Sequence, residues 1–166
     1  CDAAYALSNF IGNGSTEAFV KMMNDKAVEI GCTGTHFVNA TGLYDKYQIT
    51  TARDMMLITK YALEKVPGFR EIATANLYNT TSKSKTVSYA MNGWAWKHSN
   101  TMTEKDNLFY YEGASGIKTG NLNDYGRNLI TLATRDGITY LVILLGAPFE
   151  DEEGELRFYH IEDAEE

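Results

Sequence analysis

Residues Gly116-Ile117-Lys118-Thr119-Gly120 stand just before two runs dense in Leu, Ile, Val, Thr and Tyr, Gly126 to Thr134 and Ile138 to Leu145. Asp136-Gly137, between the runs, supplies the positive φ angles that a tight hairpin turn requires. The two runs therefore predict an antiparallel ribbon, with Lys118-Thr119-Gly120 on a strand laid beside it. Side chains alternate across a strand, so Lys118 and Gly120 share one face and Thr119 takes the other. A cation next to a residue without a side chain suits the gripping of an anion while another backbone approaches closely.

Upstream the periodicity changes from two to that of helices. Asp2 to Ile11 carries Ala3, Ala4, Ala6, Leu7, Phe10 and Ile11 at helical spacing and ends at Gly12-Asn13-Gly14. Ser15 caps a second helix with Glu17 in its first turn, where an acid complements the positive end of the helix dipole. Its expected inner stripe is Phe19, Met22, Met23, Ala27 and Ile30, and Gly31 stops it. Residues 32 to 50 form a long connection without clear period, of the kind that is functional or packed by its own side chains. A third helix follows, capped by Thr50 or Thr51, with Met55, Ile58, Ala62 and Val66 inward and Pro67-Gly68 at its end. From Phe69 to Asn107 only short β-prone pieces emerge, Leu77 to Thr80 and Thr86 to Met91. Trp94 and Trp96 are expected on one side, over a sheet edge. Glu150 to Glu155 reads as a solvated turn, and His160 to Ala164 as the start of a helix.

The 166 residues suit one ordinary domain or most of one, and 44% hydrophobic with 22% charged content is that of a folded globular chain. A formal net charge of −7 without a basic cluster argues against nucleic-acid binding. No apolar run is long enough to span a bilayer, Tyr140 to Leu145 being strand-sized. The chain starts at Cys1 rather than Met, which reads as a piece of something longer. Cys1 and Cys32 are too few for a disulfide scaffold and fit no zinc pattern; two unpaired thiols are the expectation, with a single bridge between them the open alternative. His36, His98 and His160 have no metal-ligand spacing, so no metal site is expected. Asn13-Gly14-Ser15, Asn39-Ala40-Thr41 and Asn79-Thr80-Thr81 match the N-glycosylation string, but packing or loop hydrogen bonding is the better account of Asn39.

Taken together, these pieces resemble the serine-type D-alanyl-D-alanine carboxypeptidases, the low-molecular-mass penicillin-binding proteins of bacterial cell-wall metabolism. That family uses S-x-x-K, S-x-N and K-T-G motifs. Here the K-T-G is Lys118-Thr119-Gly120, and Gly126 to Asp136-Gly137 and Leu145-Gly146-Ala147-Pro148 are similar to the family's C-terminal sheet strands. Thr35-His36-Phe37-Val38-Asn39, Gly42-Leu43 and Thr51-Ala52-Arg53-Asp54-Met55 match the family's helical lobe, and Cys1-Asp2-Ala3-Ala4 looks like the tail of S-x-N-D-A-A. Cys1 stands where the family usually has Asn, and Asn121 where it often has His or Tyr. The S-x-x-K helix is absent. The strings Ser82 to Lys85 and Ser115 to Lys118 are chance matches, one in a polar loop and the other on the K-T-G strand.

The resemblance implies an α+β fold of the β-lactamase/transpeptidase type, truncated at both ends. Residues 1–75 would be mainly helical lobe, and 76–166 sheet strands with the start of a C-terminal helix. It implies an acyl-enzyme mechanism without cofactor, in which a Ser outside this chain attacks the bond between two D-alanines. Lys118 would supply positive charge and Cys1 would face the site with weaker hydrogen-bonding power than Asn. Thr119, Gly120 and Asn121 would hold the substrate, Thr119 at its terminal carboxylate. The implied partners are a peptidoglycan stem peptide ending in D-Ala-D-Ala, and β-lactams that mimic it. The implied location is extracytoplasmic, at the membrane surface or in the cell wall. This polypeptide alone is expected to be silent, and to associate through an unpaired edge beside Ile138 to Leu145. A β-lactamase-like acyl hydrolase of the same fold and a non-catalytic wall-binding module remain open as alternatives.

Overall fold

The structure is a computed structural model and describes residues 1–79, 95–122 and 125–165. It divides into two compact units, Cys1–Val66 and Pro67–Glu166.

The first unit is built on α1 (Asp2–Ile11), α2 (Thr16–Glu29) and α3 (Ala52–Lys65). The turn between α1 and α2 depends on Gly12, where an added Cβ would lie 1.9 Å from the Ser15 carbonyl oxygen. Ser15 caps α2 as its sequence indicates, Oγ accepting from Ala18 N at 3.1 Å. Of the expected stripe, Ala27 is buried and Phe19, Met23 and Ile30 are partly so, but Met22 is 52% exposed. The reason is angular: residues 19, 23, 27 and 30 cluster on one side, and 22 falls about 95° from their mean direction at 100° per residue. Thr51 rather than Thr50 caps α3, its Oγ1 accepting from Asp54 N at 3.1 Å. Val66, expected inward, is 45% exposed. Pro67 drives the residue before it out of the helical region, and Val66 is extended at φ −100° and ψ 109°.

Residues 32–50 contain no helix or strand, yet they are closely tied. His36 and Ile49 exchange backbone bonds at 2.8 and 3.0 Å. Asn24, on α2, clamps Phe37 from both sides at 2.8 Å, Nδ2 donating to its carbonyl and Oδ1 accepting from its N–H. Gln48 Oε1 accepts from Val38 N and Asn39 N, and Asn39 Oδ1 accepts from Thr41 N and Gly42 N. The loop is packed by its own side chains, and Asn39 serves loop hydrogen bonding.

In the second unit, Gly68 at φ 76° starts a short helix, α4 (Phe69–Ala73), that has no counterpart in the expectations above. β1 (Leu77–Asn79) pairs with β2 (Ala95–Lys97) as a separate two-stranded sheet. Trp96 lies on this smaller sheet, opposite Tyr78, and is 60% exposed. Trp94, the expected strand from Thr86 to Met91 and the string Ser82 to Lys85 lie outside the described residues. The larger sheet has the order β3 (Ala114–Leu122), β4 (Gly126–Arg135), β5 (Ile138–Ala147), antiparallel throughout. Asp136 and Gly137 have φ of 53° and 77°, the paired positive values of a two-residue hairpin turn. The acidic run forms a turn closed by Asp151 Oδ1, which accepts from Glu153 N and Glu155 N. α5 (Tyr159–Glu165) lies against β4 and β5, and Ile161 joins Leu129 and Met102 in the core. Both cysteines are free, Cys1 exposed and Cys32 buried.

Candidate functional site

β3 is shaped from its N-terminal end. Its pairing with β4 shifts between Ser115 and Lys118, and Gly116 sits in the shift at φ 58°. A Cβ there would come within 2.4 Å of the Ala73 carbonyl oxygen, so the strand passes the end of α4 only as glycine. Beyond the shift Lys118 pairs with Ile130, Thr119 with Leu129, Gly120 with Asn128 and Asn121 with Arg127. The alternation places Lys118 and Gly120 on one face and Thr119 and Asn121 on the other.

Lys118 is exposed, and its Nζ donates to the Thr119 carbonyl. Thr119 Oγ1 lies 2.6 Å from Ser99 Oγ. At Gly120 an added Cβ would meet Asn128 Nδ2 at 3.4 Å, so within the described residues a methyl group is tolerated. Asn128 in turn accepts from Gly146 N at 2.9 Å, where β4 and β5 change register. Asn121 is exposed on the strand. Cys1 belongs to the first unit, at the N-cap position of α1, and its Sγ lies 3.9 Å from the Thr41 carbonyl oxygen. The structure thus brings Lys118, Thr119, Gly120 and Asn121 together on one strand, while Cys1 stands on another element in the other unit.

Two residues near this strand carry no signal in the sequence. Asn100 is buried, and its Nδ2 donates to the Gly116 carbonyl at 2.8 Å and to Thr131 Oγ1 at 3.2 Å. Ser99 precedes it. Both lie in a polar segment without periodicity, and the bonds they make reach across 16 to 31 residues.

The histidines have separate surroundings. His98 Nδ1 accepts from Asn100 N at 3.0 Å, which leaves the proton on Nε2, 3.2 Å from the Ala73 carbonyl. His160 Nδ1 is buried without a hydrogen-bond partner among the described residues, and burial first, then the charge of Arg127, pushes the imidazole below its ordinary pKa. Arg127 itself is buried between the rings of Phe149 and Phe158, at 4.7 and 4.3 Å. Among the described residues, no group of three or more His, Cys, Asp or Glu side chains is arranged to hold a metal ion.

Chemically, the strand offers one ammonium, one hydroxyl and an outer backbone edge within four residues. Such a set receives an extended, anionic peptide end better than it performs acid–base chemistry.

Known proteins resemble this chain in sequence and in fold. The family model described as D-alanyl-D-alanine carboxypeptidase matches residues 1–149. The D-alanyl-D-alanine carboxypeptidase of Streptomyces sp. (strain K15) is 32% identical over 152 residues, covering 89% of this chain and 50% of that protein. DacC of Escherichia coli (strain K12), a D-alanyl-D-alanine carboxypeptidase, is 32% identical over 146 residues, which are 88% of this chain and 32% of that one. The crystal structure of the Streptomyces K15 DD-transpeptidase superposes with a TM-score of 0.75 at 31% identity, over 89% of this chain and 56% of that one. The chain spans half or less of the length of these curated relatives. The α+β architecture of helices and antiparallel sheet is therefore that of the DD-transpeptidases, and the chain belongs to the D-alanyl-D-alanine carboxypeptidase family.

Proposed function

We propose that this chain carries the substrate-tail side of a serine-type D-Ala-D-Ala carboxypeptidase site. The supporting observation is Lys118 and Thr119, consecutive on an outer strand that has the family's K-T-G motif. The substrate is a peptidoglycan stem peptide ending in D-Ala-D-Ala, laid along β3 as an added strand. Lys118 provides positive charge, the Thr119 hydroxyl donates to the terminal carboxylate, and backbone at Gly120 and Asn121 pairs with the peptide. A serine outside residues 1–166 attacks the penultimate carbonyl, D-alanine leaves, and water releases the acyl group. β-Lactams acylate the same serine because they imitate the acyl-D-Ala-D-Ala end. The reaction takes place outside the cytoplasmic membrane, where peptidoglycan is; among the described residues no helix is long and apolar enough to cross a membrane.

The 166-residue polypeptide by itself takes up no fluorescent penicillin and releases no D-alanine. Covalent labelling of it would overturn the placement of the nucleophile. In a chimera that joins it to the S-x-x-K segment of a relative, Lys118→Ala lowers D-alanine release roughly 10²-fold. Unchanged release would remove Lys118 from the site.

The outer edge of β5 supports a second partner, another copy of this chain. Residues 138–147 contain neither a charge nor a proline, and Ile138 and Tyr140 are more than half exposed. Such an uncharged ten-residue edge pairs readily with another strand. Light scattering should give a mass that rises with concentration, and Tyr140→Lys should suppress the rise. A concentration-independent monomer would overturn this.

A further inference from the structure

Ser99 is held in place by its neighbours. On one side His98 is fixed through both ring nitrogens, to Asn100 N and the Ala73 carbonyl. On the other, Asn100 spends its amide on Gly116 and Thr131, and its Oδ1 accepts from Met102 N at 3.1 Å. The segment is thus fastened to the root of β3, and Ser99 Oγ is delivered to 2.6 Å from Thr119 Oγ1.

We infer that Ser99 is a positioning residue for substrate binding: it donates to Thr119 Oγ1 and so aims the threonine's own proton at the peptide's carboxylate. This rests on the carboxypeptidase assignment above and adds to it a residue and a source of selectivity. Each hydroxyl has one proton and two lone pairs. An ionised carboxylate only accepts, so once it takes the Thr119 proton, the Ser99–Thr119 bond survives in one direction, with Ser99 as donor. Two hydroxyls in series that end on a charge polarise each other, and the second bond is stronger than an isolated one. Without Ser99 the Thr119 hydroxyl rotates freely, and its proton must be oriented at the moment of binding. The Lys118 ammonium, anchored on the Thr119 carbonyl, supplies charge but cannot set that rotation.

The selectivity is for a free acid over an amide at the peptide's end, and that difference is the readout. N-acetyl-D-Ala-D-Ala and its C-terminal amide are titrated into the 15N-labelled 166-residue chain, following the Thr119 and Gly120 amides. The wild type should prefer the acid. Ser99→Ala should reduce the acid-over-amide preference roughly three- to tenfold, with amide binding unmoved, as expected for one lost hydrogen bond. Ser99→Thr, which keeps the hydroxyl, should restore it. A preference unchanged in Ser99→Ala, or acid and amide weakened together as a merely loosened segment would give, overturns the role of Ser99 and leaves the carboxypeptidase assignment standing. A wild type with no preference for the acid overturns the carboxylate-tail assignment and the role of Ser99 with it.

Discussion

Helix α3 in the first unit and strand β4 in the second both bury residues deeply, but α3 buries only polar ones, whereas β4 buries a run of apolar residues alongside Arg127 and Thr131. On α3 these residues are Asp54 and Thr59, while its apolar Met55, Ile58 and Ala62 are only partly covered. On β4 they include Leu129, Ile130 and Leu132, and Leu129 packs with Met102 and Ile161 at the centre of the core. α1 repeats the pattern of α3: Ser8 is its buried residue, while Phe10 is 81% exposed. The first unit is therefore held in register by polar knots that tie loop to helix, while the second adds to its own knot, Asn100 on Gly116 and Thr131, an apolar contact between sheet and helix. Directional bonds fix a loop that has no periodicity of its own; apolar burial stabilises more but orients less.

The sharpest test of the contrast is Leu129→Ala. Leu129 is 1% exposed and touches both β5 and α5 through the core cluster, so the cavity left behind has little room to collapse. A loss of about 3 kcal/mol is expected from the removed methylenes and the cavity together. Urea unfolding followed by circular dichroism measures it, and a loss below about 1 kcal/mol would mean that the sheet does not depend on this core.

Asp54 is the counterpart in the first unit and should rank second. Its Oδ2 accepts from Gly34 N at 2.7 Å and from Thr35 Oγ1 at 2.8 Å, which binds the start of the 32–50 loop to α3. The Thr35 hydroxyl first, then the Gly34 and Thr33 N–H groups, hold its carboxyl below the ordinary carboxylate range. A depressed folded-state pKa contributes stability that is fully present above the unfolded value of about 3.9. That contribution is lost as pH falls through the folded value. Asp54→Asn should lower the urea midpoint at pH 7 by less than Leu129→Ala, because the amide keeps one acceptor oxygen. It should also flatten the loss of stability below pH 4. An acid limb as steep in Asp54→Asn as in the wild type would show that this knot does not carry the pH dependence.

The same division decides what could be read in advance. The Asp136-Gly137 turn and the caps Ser15 and Thr51 were legible because each acts within three residues of itself, and the chemistry of a turn or cap is local. Lys118 to Asn121 were legible as a motif on a strand. Apolar periodicity overstated the core: Met22 lies off the stripe, and Val66 is pulled from the helix by Pro67. What stayed hidden are side chains that bond across long stretches of sequence. Asn24 holds Phe37, Asn100 holds Gly116, and Ser99 meets Thr119, partners 13, 16 and 20 positions apart in sequence. No period or propensity marks such pairs, because their partner is a backbone group or hydroxyl brought near only by the finished fold.

Lys21 and Asp25 supply the smallest effect, and a control on the comparison. Their 2.6 Å contact is as short as any in the Asp54 knot, but both side chains are largely exposed, at 76% and 63%. Water already solvates both charges, and two long side chains must be ordered to keep the pair. Lys21→Ala should therefore change stability by no more than about 0.5 kcal/mol, and 0.5 M salt should erase what difference there is. If that variant instead cost as much as Asp54→Asn, the short contact itself would be the source of stability. The polar knots would then owe nothing to burial. Burial separates the two cases: Asp54 has no water to fall back on when Gly34 and Thr35 are taken away, and Lys21 has little else.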